Sequence, residues 1–95
     1  MMAKITYAPG TREEGIEHWR EVAASVEDQE KEGTRAYWFL SDTEDKNILY
    51  SLELYKDKEY LWDVHVPSKA IQDNMAKQKE IRKGLELKVF KTLSA

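Results

Sequence analysis

The chain of 95 residues contains no cysteine. That one absence removes disulfides, thiolate metal sites and a cysteine nucleophile from consideration. Proline occurs twice and glycine four times, so the chain has few built-in breaks and no low-complexity or linker composition. There is no run approaching the roughly 18 apolar residues of a membrane span, and MMAKITYAPG lacks the apolar core of about 7 to 15 residues found in a secretory signal. A cytoplasmic protein that does not enter the membrane is the expectation. Basic surplus is also lacking: 15 Lys and Arg stand against 18 Asp and Glu, for a formal charge of -3, with no clustering of one sign. Such a surface offers little to a polyanion, and nucleic acid is not expected as a partner. No glycine-rich phosphate loop, metal-spaced cluster or Ser-His-Asp ordering can be assembled, so neither a metal nor another cofactor is expected.

What is present is enough for one domain over residues 1–95: 41 % hydrophobic and 35 % charged residues, the mixture of a soluble globular chain. Ala3 to Ala8 alternates with period two and suggests a strand that Pro9-Gly10 ends. Thr11 and Glu14 have the spacing of a capping box, and Ile16, Trp19, Val22, Ala23 and Val26 then recur at helical steps towards Gly33, a candidate left-handed stop. Thr34–Leu40 and Ile48–Tyr55, rich in aromatic and aliphatic residues, flank the polar stretch 41–47 and predict a hairpin. Asp57 can cap a short helix to about Val64. Pro67 interrupts it, and Ser68 can cap a second helix that runs to about Lys83 and closes at Gly84. Asn74 and Gln78 share that helix's thin apolar side with Ala70, Ile71, Met75 and Ile81; two amides there fit either the border of a polar cavity or the rim of the fold. A final strand alternates from Leu85 to Leu93.

Strand, helix, hairpin, broken helix and strand give an α+β, ferredoxin-like βαββαβ order with an antiparallel sheet and helices on one face. Strands two and three carry large apolar groups on both sides: Tyr37 and Phe39 against Ala36, Trp38 and Leu40, then Ile48, Tyr50, Leu52 and Leu54 against Leu49 and Tyr55. Each would forgo about 1.5 to 3 kcal/mol of burial energy if left in water. A second copy packing sheet on sheet is the expected cover, which makes the protein a homodimer.

Of two histidines, His18 lies among Glu17, Arg20 and Glu21 on a polar helix face, whereas His65 is flanked by Tyr60, Trp62 and Val64. His65 is therefore the candidate proton-handling group, set against a plain alternative in which it stabilises a helix C-terminus. Trp19, on the buried stripe, is core. Glu53, in an apolar strand, needs a partner such as Arg35 or a neighbouring subunit, as an ion pair or a catalytic acid. The charge-rich pieces 27–32 and 77–83 read as solvated helix faces.

The order and spacing of Pro9-Gly10-x-x-Glu13-Glu14, of Leu49 to Tyr55 and of the run Asp57, Glu59, His65, Ser68 resemble the antibiotic biosynthesis monooxygenase superfamily over nearly the whole chain. The resemblance implies a dimeric α+β barrel with a small cavity between sheet and helices. It also implies a cofactor-independent monooxygenase acting on a small aromatic or quinol-like metabolite, or an isomerase, with His65 as base. Trp62, Tyr37, Trp38, Tyr50, Tyr7 and Asn74 would be the substrate-binding candidates. A non-catalytic binding or oligomerisation module of the same fold is the alternative. The sequence departs from the family pattern at Ala70, where many relatives carry a second histidine. It also lacks the first-strand asparagine of the haem-degrading members, because its asparagines are Asn47 and Asn74.

Overall fold

The computed structural model describes residues 1–91 and 93. Four strands, β1 (Met2–Tyr7), β2 (Thr34–Ser41), β3 (Ile48–Tyr55) and β4 (Arg82–Lys88), form one antiparallel sheet in the order β2-β3-β1-β4. Helices α1 (Arg12–Gln29) and α3 (Lys69–Ile81) cover one face. Between β3 and α3 a single helical turn, α2 (Lys58–Tyr60), widens into a π turn over Leu61–His65. This is the α+β ferredoxin-like arrangement, and the alternation read from the strands sets its layers. Ala3, Ile5 and Tyr7 of β1 and Leu49 of β3 point under the helices, where they meet Trp19, Val22 and Val26 of α1 and Ile71 of α3.

The opposite face carries the other half of each alternation. Leu52 stands opposite Trp38 on one side and Met2 on the other, and Tyr50 lies between Leu40 and Lys4. In the single chain Trp38 is 59 % exposed, and Leu40 and Leu54 are exposed beside it.

Several local expectations are corrected. Thr11 precedes α1, but its backbone is helical (φ -105, ψ -5) rather than extended, so its hydroxyl does not cap the helix. It donates instead to the carbonyl of Ala8 at 2.7 Å, with that of Ile81 3.1 Å away, tying the loop to the end of α3. Gly33 is not the left-handed stop; α1 ends at Gln29 with Glu30 after it, and the left-handed glycine is Gly10 (φ 83) in the turn after β1. Gly33 is needed because the ring of Tyr60 lies where a Cβ would be. Helix α3 stops at Ile81 rather than near Lys83, since Arg82 is already extended (φ -88, ψ 146) and pairs with Tyr7; Gly84 lies inside β4 opposite Thr6. The last strand ends at Lys88, and the part of its expected course at Thr92 lies outside the described residues. The caps at Asp57 and Ser68 are as expected: Asp57 Oδ1 accepts from Tyr60 N–H at 2.8 Å and Ser68 Oγ from Ile71 N–H at 3.3 Å. Among the described residues no helix is long and apolar enough to cross a membrane.

Candidate active site

Three elements converge on His65. The π turn is one residue wider than an α turn, as the bond from Val66 N–H to the Leu61 carbonyl (2.9 Å) records, and it turns Leu61 and His65 together into the interior. Pro67 cannot continue the helix, and Ser68 N–H bonds the His65 carbonyl at 3.1 Å, so the ring's backbone is fixed from behind. From the residue that follows α1 comes Glu30. Its carbonyl accepts the N–H groups of Gly33 and Thr34, and its side chain folds inward so that Oε1 lies 2.8 Å from His65 Nδ1. From β3, Glu53 Oε1 lies 3.5 Å from Nε2 on the other edge of the ring. His65, Glu30 and Glu53 are 1 %, 4 % and 3 % exposed.

A carboxylate only accepts, so Nδ1 carries a proton in either charge state of the imidazole. Burial pushes the His65 pKa down, but the hydrogen bonds and charges of Glu53 and Glu30 outweigh it and hold the value above the ordinary 6.5. For Glu53 burial raises the pKa. His65, with the hydroxyls of Tyr55 and Ser51, more than reverses that and leaves the carboxyl below its usual range. Tyr55 OH donates to Oε1 at 2.5 Å and Ser51 OH to Oε2 at 2.7 Å. At and below pH about 6.5 the cluster thus holds an imidazolium between two acidic side chains, with one of them, Glu53, further satisfied by two hydroxyls.

Tyr37 stands opposite Glu53 in the β2–β3 ladder, its ring edge-on to the imidazole with centroids 5.5 Å apart. Its hydroxyl is buried and has no hydrogen-bond partner among the described residues. Burial, and after it the charges of Glu53 and Glu30, push its pKa far up, so it is a neutral donor. Tyr55 also packs against His65, its ring tilted and the centroids 5.0 Å apart.

The remaining candidates lie elsewhere. Trp38 and Tyr50 are on the outer sheet face, where Tyr50 OH donates to Asp42 Oδ2 at 3.1 Å. Trp62, on the turn that carries His65, is 49 % exposed. Tyr7 and Asn74 belong to a second buried network that shares no hydrogen bond with His65. In it Trp19 Nε1–H donates to Tyr7 OH (3.1 Å), Tyr7 OH to Gln78 Oε1 (2.6 Å), and Gln78 Nε2 to Gly15 O (3.0 Å) and Asn74 Oδ1 (3.2 Å). The amides of α3 are therefore not on the rim of the fold; they are buried and bridge α1, α3 and β1. Asn74 Nδ2 has no partner among the described residues.

Two assignments change. Glu53 pairs with His65, not with Arg35, which is exposed on the edge strand. Glu30 is no part of a solvated face. It follows Val26 by four residues and so continues the buried stripe of α1, a spacing that was visible in the sequence. Among the described residues no group of three or more His, Cys, Asp or Glu is arranged to hold a metal ion.

Comparison with known proteins supplies the family. Its sequence profile, antibiotic biosynthesis monooxygenase, matches residues 1–77. The chain belongs to this family. Solved structures agree in fold. A candidate antibiotic biosynthesis monooxygenase of Bacteroides thetaiotaomicron superposes with TM-score 0.85 at 20 % identity, over 98 % of this chain and 87 % of that one. One of Caulobacter crescentus gives 0.81 at 20 % identity, over 95 % and 87 %. A protein of Pseudomonas aeruginosa gives 0.76 at 22 % identity, over 98 % and 91 %. No curated protein matches. In this member of the family, the histidine of the motif is closed in by Glu30, Glu53, Tyr37 and Tyr55.

Proposed function

We propose that the protein is a cofactor-independent monooxygenase of a small aromatic or quinol-like metabolite, with His65 as the general base. The observation that carries this reading is the buried hydroxyl of Tyr37, without a partner among the described residues, beside an imidazole whose Nδ1 is already held by Glu30. The pair supplies an oriented base and a neutral donor for the oxyanion that forms when the base takes a proton. Deprotonation of an anthrone-type CH2 gives an electron-rich enolate that reduces dioxygen directly. The balance is CH2 + O2 → C=O + H2O, with one oxygen atom retained on carbon and the other released as water. His65 must first shed its resting proton, because only the neutral ring has a lone pair at Nε2. Its raised pKa therefore makes turnover climb with pH until the ring is neutral.

The dimer belongs to the same proposal. A second copy over Trp38, Leu40, Leu52 and Leu54 would remove from water the apolar face that a single chain leaves open.

Oxygen uptake with a panel of anthrones and hydroquinones tests the chemistry. His65→Ala lowers the rate by roughly 10² to 10⁴, and Tyr37→Phe, which leaves the ion cluster intact, by roughly 10² to 10³ in kcat. Unchanged turnover in both variants refutes the assignment. A second reading, a binding or oligomerisation module without chemistry, is favoured by one observation: the rings of Tyr37 and Tyr55 close the space around His65, which is 1 % exposed. Tight binding of panel members without oxygen uptake would establish it.

A further inference from the structure

At the far end of β3 a cleft of about 680 Å³ lies between the strand, the start of α2 and the segment after β4. This is within the range of about 300 to 1,000 Å³ typical of small-molecule sites. Leu54, at the edge of the outer sheet face, gives it an apolar wall with Leu61, Val89 and Phe90, and Lys56, Lys58 and Lys91 line it, Lys56 with its Nζ 5.4 Å from the Tyr60 ring centroid. None of the three has a carboxylate within ion-pair distance among the described residues. The acids of the cleft are engaged: Asp57 caps α2, and Glu53 is paired with His65. On a chain of net charge -3 this is a local concentration of lysines without carboxylate partners among the described residues, beside apolar side chains.

Tyr55 joins this cleft to the buried cluster. It lines the cleft, its ring packs 5.0 Å from the imidazole, and its hydroxyl donates to Glu53 Oε1, the oxygen 3.5 Å from His65 Nε2. Tyr55 is held there by one hydrogen bond, to Glu53, and by stacking on Tyr60 with centroids 6.1 Å apart.

We propose that the cleft binds a small aromatic carboxylate, the acid group on Lys56 and Lys58 and the ring against Leu61 and Phe90, and that Tyr55 is the door between the cleft and His65. The identity of this ligand as substrate rests on the oxygenase reading; its binding does not.

The probe is 1,4-dihydroxy-2-naphthoate under argon, followed by amide NMR shifts of the full chain, with 1,4-dihydroxynaphthalene as the uncharged comparison. Shifts gather at residues 54–61 and 89–91, and the acid binds roughly tenfold more tightly than its neutral analogue, the scale of two partly exposed charge contacts. In the double variant Lys56→Gln, Lys58→Gln the two ligands bind alike. Equal affinities in the unmodified protein, or shifts centred on another face, overturn the site. The door is tested with diethyl pyrocarbonate in a His18→Gln background, where His65 is the remaining histidine. Adding Tyr55→Phe speeds its modification roughly tenfold, as loss of one charge-assisted hydrogen bond allows. An unchanged rate overturns the door. Binding of the acid without oxygen uptake in air would sink the oxygenase reading and leave the site. Turnover of neutral quinols with no preference for the acid would do the reverse.

Discussion

Replacing Glu30 by Gln is the most discriminating perturbation of the site, because it removes one charge and little volume. The Gln carbonyl can still accept from His65 Nδ1–H, so what disappears is the attraction between the imidazolium and a carboxylate 2.8 Å away. A fully broken buried pair costs about 3 to 5 kcal/mol and a charge-assisted hydrogen bond contributes about 1.5 to 3. Glu53 remains to balance the ring, so a loss of about 2 to 3 kcal/mol is expected while the ring is charged. That is a large share of the roughly 5 to 15 kcal/mol that holds such a domain together. The pH dependence carries the signature. His65 has a folded pKa above its unfolded value near 6.5; the stability it contributes is complete below that value and is lost as pH rises through the folded one. Glu53 has a depressed folded pKa, so its contribution is present above its ordinary value of 4.5 and disappears as pH falls through the folded one. Stability from the pair is therefore greatest between about 4.5 and about 6.5, the two ordinary values, and declines outside that window towards the folded ones. The gap between the wild type and Glu30→Gln should narrow as His65 deprotonates. Urea unfolding at pH about 6 and about 9, with the His65 ring titrated by NMR, measures this. A gap that is constant or widens with pH, or a His65 pKa that does not fall in the variant, refutes the charged-cluster account.

Tyr7→Phe leaves Trp19 Nε1–H and Gln78 Oε1 buried without their shared partner. It should destabilise by about 1 to 3 kcal/mol in urea titration, with no change in the His65 titration. Gly33→Ala forces a methyl into the ring of Tyr60 and should lower stability by about 1 to 3 kcal/mol; Gly33→Ala with Tyr60→Ala should recover part of it, which a double-mutant cycle reads directly. Leu52→Glu puts a charge at the centre of the outer sheet face, between Trp38 and Met2. By light scattering it should convert a dimer to a monomer at micromolar concentration; a wild-type protein already monomeric there would refute the proposed pairing.

Alternation and capping were legible because they are local. The period-two pattern of β1 and β3 assigns Ile5, Tyr7 and Leu49 to the helix side, and Asp57 and Ser68 cap where their side chains and the following N–H groups require no distant partner. The failures occurred where a second element intervenes. Thr11 has the spacing of a capping residue, yet its hydroxyl turns back to Ala8 O at 2.7 Å, with Ile81 O at the end of α3, 70 positions away, 3.1 Å from it. Gly33 looked like a helix stop, and its small size serves Tyr60 instead.

The site divides along the same line. The sequence by itself determined the sheet's two-sided apolar character, the family, and a histidine set apart from the polar faces. Tertiary structure alone decided what that histidine is. Glu30 lies 35 positions from His65 and looks like one more acid in a charged stretch, until the helix that carries it ends above a π turn from another part of the chain. A side chain's charge is written in its residue type, but the strength of that charge depends on the solvent removed from around it and on the opposite charge brought within 3 Å. Both are properties of packing between elements, for which a linear pattern holds no distance.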